Sequence, residues 1–226
     1  MSSKLIFDSE KHVYSINGRY LPGVSSILKN AGLVDFSGIP EDILERARVF
    51  GLAVHLATEL EDLGTLDIET VDPAIIPYLE AWRNYKKDTG AIIEPVSLKI
   101  LEIMESPQKL SIEIPVYSEK WWFAGKFDRI LTINGKRVMV DIKSSASVYP
   151  SMRIQLAGYK TAYEEITGEK INQRLIVQLL KDGAYKLSPC NDEVDVQVFY
   201  AAVQIYRFKK KEANYYDRNK DFNSNR

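Results

Sequence analysis

The chain has 226 residues, a formal net charge of −1, 45% hydrophobic and 27% charged residues. That is the composition of a globular chain long enough to bury its own core. The single cysteine, Cys190, excludes an internal disulfide, a CxxC redox pair and any four-thiolate zinc or iron–sulfur site built by this chain alone, and two histidines, His12 and His55, exclude a three-histidine zinc centre. No apolar run reaches the roughly 18 to 20 residues that cross a bilayer, and Met1 to Glu10 lacks the apolar stretch of a signal peptide, so a cytoplasmic protein with no membrane partner is expected.

In chain order, Lys4 to Phe7 and His12 to Ile16 alternate apolar and polar residues, and Asn17-Gly18 turns the chain toward Tyr20-Leu21, which predicts a small hairpin or meander. A short helix is predicted from Val24 to Leu28, ending near Gly32. Glu41 to Leu63 carries Leu44, Ala47, Phe50, Val54 and Ala57 at helical spacing and stops at Gly64, and Pro77 to Thr89 repeats the pattern up to Gly90.

The texture then changes to β-branched and aromatic residues. Val96 to Met104, Lys109 to Tyr117, Trp121 to Ile133 and Lys136 to Ile142 read as four antiparallel strands, the last two joined by a type I′ turn at Asn134-Gly135. Pro150 and Gly168 bracket a helix from Ser151 to Thr167, Arg174 to Leu180 is a buried strand, and Lys181-Asp182-Gly183 turns back. The closing helix runs from Asp192 to about Ala213, which leaves residues 214 to 226 as a polar, frayed tail. Residues 1 to 213 thus form one domain, with the hairpin and short helix in 1 to 35 and the core sheet in 90 to 190.

Chemistry concentrates on the Asn134-Gly135 hairpin. Counted back from the turn, Asp128 and Asp141 fall at similar depth on adjacent strands, and alternation puts Asp141 and Lys143 on one side while Val140 and Ile142 face the core. Two converging carboxylates raise one another's pKa, and a divalent cation between them removes the conflict. The bland alternative is a solvated strand end in which Asp141 and Lys143 form a surface pair. His55 lies inside the long helix with Glu59 one turn on and alone reads as a satisfied histidine at a helix–sheet contact, while Gln155 and Tyr159, i, i+4 neighbours on a later helix, alone read as ordinary amphipathic-helix residues.

Taken in order, G-x-x-V-H at 51 to 55, E-I-P-V-Y at 113 to 117, G-K-F-D-R-I at 125 to 130, V-D-I-K-S at 140 to 144 and Q-L-A-G-Y at 155 to 159 resemble the PD-(D/E)XK nuclease superfamily. Within it the sequence is similar to the RecB-like exonucleases, including phage recombination exonucleases and the mitochondrial genome-maintenance exonuclease. The resemblance spans about Val24 to Leu180. It implies an α/β fold with an αβββαβ core, a mixed central sheet flanked by helices, to which the N-terminal hairpin and further helices are added.

By the same resemblance, Asp128, Asp141 and the Ile142 carbonyl hold the metal together with His55, and Glu113 is a further acidic position one strand earlier. Lys143 orients or deprotonates the attacking water, and Gln155 and Tyr159 stand near the scissile strand. Phe127 replaces the proline of the superfamily's name. The implied cofactor is Mg²⁺ or Mn²⁺, which suits oxygen ligands with one imidazole. Burial or the metal is expected to lower the Lys143 pKa.

The implied function is metal-dependent DNA exonuclease action in recombination, repair or replication, on single-stranded or end-containing double-stranded DNA. The alternatives are a structure-specific endonuclease on the same core and a non-catalytic DNA-binding module. For a phage-type enzyme the expected partner is a single-strand annealing protein, in the host cytoplasm. For DNA contact the candidates are Arg46, Arg48 and Trp122 beside Gln155 and Tyr159. The arginines either hold phosphate or are solvated, and Trp121, Trp122 and Phe123 either stack on bases or pack in the core. The basic run Arg207 to Lys211 either tracks the DNA backbone or is simply solvated.

Overall fold

In the computed structural model of the protein, residues 4–8, 13–105 and 108–224 are described, with side chains to Ala213. His12 falls outside them. Three short strands, β1 (Leu5–Asp8), β2 (Val13–Ile16) and β3 (Arg19–Leu21), form an antiparallel meander. Asn17 and Gly18, at φ 50° and 71°, supply the left-handed pair that its tight turn needs. Its buried residues Leu5, Tyr14, Ile16 and Leu21 close over Ala124.

Among the described residues the main sheet has six strands. β5 (Ile112–Ser118), β6 (Phe123–Ile133) and β7 (Lys136–Lys143) run antiparallel in turn, and β8 (Gln173–Leu179) lies parallel to β7 with an antiparallel β9 (Tyr185–Pro189) outside it. The two-residue β4 (Ile92–Ile93) pairs with the far end of β6. A parallel pair needs a crossover, and α5 (Pro150–Thr167) provides it between β7 and β8. The order helix, three antiparallel strands, helix, parallel strand is the αβββαβ arrangement that the resemblance implies.

Helices cover both faces. α2 (Glu41–Asp62) and α3 (Ile76–Thr89) bury Val54, Ala57, Trp82 and Tyr85 against Val138, Val140, Ile142 and Val177. On the other face α1 (Val24–Asn30), α4 (Leu98–Ile103), α5 and α6 (Val194–Ser224) pack Ile27, Ile100, Leu156 and Phe199 against Val116, Phe123, Phe127 and Met139. Among the described residues no helix is long and apolar enough to cross a membrane.

Two expectations are corrected. Val96 to Met104 is not a strand: it contains α4, because Ile100 and Ile103, buried at i, i+3, dock on the sheet while Leu98 stays exposed. Its β-branched content concealed that spacing. The final helix also continues past Ala213 to Ser224. Within the basic run, Arg207 donates to the Trp121 carbonyl (2.8 Å) and Lys209 to the Asn30 carbonyl (2.6 Å), so these two cations clip α6 to the body.

Gly125 on β6 makes room for the site. A Cβ there would overlap the Tyr159 ring, with Cδ1 at 2.9 Å, and crowd Val24 Cγ2 at 3.2 Å. Gly125→Ala is therefore expected to cost about 1–3 kcal/mol by overpacking. A thermal melt lowered by about 2–4 °C per kcal/mol would register it.

Candidate metal centre

Sheet regularity breaks down at one place. Phe127 packs against the α5 side of the sheet, yet Arg129, two residues along the same strand, reaches Asp62 of α2 on the opposite side. In a regular strand residues i and i+2 share a face, so the alternation reverses at Asp128. Opposite it, Glu113 adopts φ 52°, and the β5–β6 ladder pairs Ile112 with Arg129 and Ile114 with Phe127 but omits Glu113 and Asp128. A left-handed glutamate in a strand costs on the order of 1–3 kcal/mol and persists only where its surroundings hold it.

The distortion turns both acids toward α2, which supplies His55. His55 Nδ1 lies 3.5 Å from Glu113 Oε1 and 3.6 Å from Asp128 Oδ2. One ligand atom from each of His55, Glu113 and Asp128 fits within 4.8 Å of the others. Asp128 Oδ2 also accepts the Ile142 backbone N–H at 2.6 Å, which ties β6 to β7 beneath the cluster. The Ile142 side chain is fully buried in the core.

Asp141, 2% exposed, belongs to the adjoining half of the site. Its Oδ2 lies 2.7 Å from Lys143 Nζ in a buried ion pair. On α5, Gln155 Nε2 donates to the Tyr159 hydroxyl at 2.6 Å and to Ser25 Oγ at 3.2 Å. The structure thus groups His55 with Asp128 and Glu113, and Asp141 with Lys143, as two neighbouring sets.

Charge explains the titration behaviour. Burial raises the Asp128 carboxyl, His55 opposes this, and Asp141 and Glu113 add to the rise, leaving it at about 6. Burial also raises Glu113, but the bond to His55 and the charge of Lys126 prevail and bring it down to about 2. For His55, burial lowers the pKa, and Asp128 and Glu113 together more than restore it. At Lys143 burial does act downward, as expected, but in the cation-free centre Asp141 and Asp128 outweigh it and raise the pKa. Burial pushes the Tyr159 hydroxyl well above its usual value, so it stays neutral.

Two cations that sequence reasoning gave no role complete the cluster. Arg129 is fully buried and donates to Asp62 Oδ2 (2.8 Å), to the Asp128 carbonyl (2.8 Å) and toward Glu113 Oε1 (3.4 Å). Lys126 Nζ pairs with Glu113 Oε2 at 2.6 Å. Their signal in the sequence is that they flank Asp128 as charges inside a largely apolar strand, Phe123 to Ile133.

The DNA candidates divide differently. Arg46 pairs with Asp42 and Arg48 with Glu45 on the exposed surface of α2 itself. Trp122 gives its indole N–H to the Tyr20 carbonyl (3.0 Å) and one ring face to the Arg19 guanidinium (4.2 Å). Trp121 stacks on Tyr200 at 4.3 Å, and Phe123 is fully buried.

Donor chemistry fits a hard divalent cation. One imidazole nitrogen and two carboxylates converge, and the adjacent buried Asp141 adds a third carboxylate whose charge is met by Lys143. No protein-family model and no curated protein matches the sequence. Among solved structures, the chain is similar to a candidate exonuclease from Eubacterium rectale, at 16% identity over 72% of this chain and 68% of that one, with a TM-score of 0.46. It is also similar to an alkaline exonuclease from Laribacter hongkongensis, at 14% identity over 83% and 92% of the two chains, with a TM-score of 0.34.

Proposed function

We propose that the chain is a deoxyribonuclease dependent on Mg²⁺ or Mn²⁺, which hydrolyses phosphodiester bonds from DNA ends. The observation that carries this reading is the convergence of His55, Glu113 and Asp128 from three separate elements, at a strained point of the sheet, beside a buried Asp141–Lys143 pair. A purely structural cluster gives no reason to hold three acids together at a backbone cost. The preference for ends comes from the resemblance to the RecB-like exonucleases.

His55, Glu113 and Asp128 would hold the cation, with Asp141 and the Ile142 carbonyl adjoining. When bound, it supplies positive charge against the phosphate oxygens and makes a water easier to ionise. Lys143, held protonated by Asp141, places a fixed positive charge where the phosphate becomes more negative, and its N–H groups orient the incoming water. In the cation-free centre Asp141 and Asp128 hold Lys143 charged, which suits an electrostatic and orienting role. The neutral Tyr159 hydroxyl, fixed by Gln155, can donate a hydrogen bond to a strand lying over α5.

End-labelled linear DNA, single- and double-stranded, incubated with Mg²⁺, Mn²⁺ or EDTA tests the proposal. Nucleotide release with either cation and none with EDTA is expected, with covalently closed circles left whole. Release in EDTA refutes the cation requirement, and cutting of circles refutes the preference for ends.

A further inference from the structure

Glu113 is over-supplied with positive neighbours. Oε1 faces His55 Nδ1 at 3.5 Å and Arg129 at 3.4 Å, while Oε2 is taken by Lys126 at 2.6 Å. Arg129 is immobilised in the core by Asp62 and the Asp128 carbonyl. Lys126 differs: its side chain is 42% exposed against 11% for Glu113, on a flexible stem at the solvent boundary.

A divalent cation held by Glu113 would sit within a few ångströms of that ammonium, a like-charge contact that only Lys126 has the freedom to relieve. Once turned outward, a compact, strongly hydrated ammonium at the mouth of the site matches a backbone phosphate. Resting on the nuclease reading above, we propose that Lys126 is an exchangeable counter-ion. It neutralises Glu113 while the centre is empty of cation, and it transfers to a DNA phosphate when a divalent cation takes that carboxylate. Lys126 thereby opposes cation binding and favours DNA binding, and the cation and DNA each promote the binding of the other.

The test compares wild type, Lys126→Met and Lys126→Arg. Calorimetric titration with Mn²⁺ alone is expected to show Lys126→Met binding about three- to tenfold more tightly, since a competitor for Glu113 is gone. Its KM for linear DNA should rise with kcat little changed, and the salt dependence of kcat/KM should flatten by about one phosphate contact. Lys126→Arg, which keeps the charge, should restore both. Lys126→Met that binds Mn²⁺ no more tightly than wild type overturns the exchange, and tighter Mn²⁺ binding with an unchanged KM overturns the transfer to DNA. Wild-type protein that binds no Mn²⁺ is a different result: it removes the metal centre itself, and the exchange with it.

Discussion

Asp128→Asn is expected to lower cation-dependent DNA hydrolysis by at least about a thousandfold, the factor that several kcal/mol of lost charge stabilisation produces, and to leave the fold intact. Asparagine keeps the volume and one acceptor for the Ile142 N–H, now at 2.6 Å from Asp128 Oδ2. What it removes is a negative charge beside Glu113 and Asp141. Metal-free protein should not be destabilised by the change. The Asp128 carboxyl is raised to about 6 in the fold from an ordinary value of 3.8, so its ionised form at pH 7 opposes folding, and the neutral amide relieves that cost.

The sign extends to pH. With a raised acid pKa, metal-free wild type gains stability as pH falls from about 7 through about 6. His55, also raised, acts in the same direction, because its protonated form is the one the acids hold. Below the ordinary glutamate range Glu113 reverses the trend, since its lowered pKa of about 2 favours folding only above that range. A melt of metal-free protein should therefore keep rising as pH falls through about 6 and turn over only near about pH 4, and Asp128→Asn should flatten the rise toward that peak. Asp141→Ala and Lys143→Ala should also abolish hydrolysis. For Lys143→Ala, Mn²⁺ binding should survive, because the lysine is no ligand.

The largest loss of stability is expected from Arg129→Met. Arg129 and Asp62 have fully buried side chains and pair at 2.8 Å, and Trp82 Nε1 (3.0 Å) and Lys86 complete the carboxylate's partners. Removing the guanidinium leaves Asp62 short of a counter-charge in the core, a defect worth about 3–5 kcal/mol. For a chain of this size the melt should fall by on the order of 10 °C. Asp62→Asn in the Arg129→Met background should recover part of the loss, the signature of two directly coupled groups. A drop of under about 1 kcal/mol would show that Lys86 and Trp82 alone satisfy Asp62, and that the guanidinium does not tie α2 to the sheet.

Much of the fold was legible because its punctuation is local. Gly64, Gly90 and Gly168 end helices at φ 68°, 63° and 72°, Pro77 and Pro150 open them, and Asn134-Gly135, at φ 49° and 73°, closes the β6–β7 hairpin. Those positions demand a conformation that few residues adopt, so the residue type announces it. The distortion at Glu113 and Asp128 has no such announcement. Glutamate at φ 52° is imposed by tertiary contacts, and counting along an alternating strand places Arg129 on the same face as Phe127, the wrong one. Depth along the hairpin was readable, since Arg129 opposite Val140 puts Asp128 level with Asp141. Facing direction was not, which is why the acid beside His55 and Asp128 is Glu113 while Asp141 turns to Lys143. Arg129 and Asp62 were hidden for a related reason: a buried ion pair between residues 67 apart in sequence has no periodic signature.

Calorimetric titration of wild type and His55→Ala with Mn²⁺, in the absence of DNA, puts the central claim to its most direct test. Saturable binding by wild type, weakened at least about tenfold in a folded His55→Ala, is the predicted result. No saturable binding by wild type, or an unchanged affinity in His55→Ala, would contradict a centre built by His55, Glu113 and Asp128.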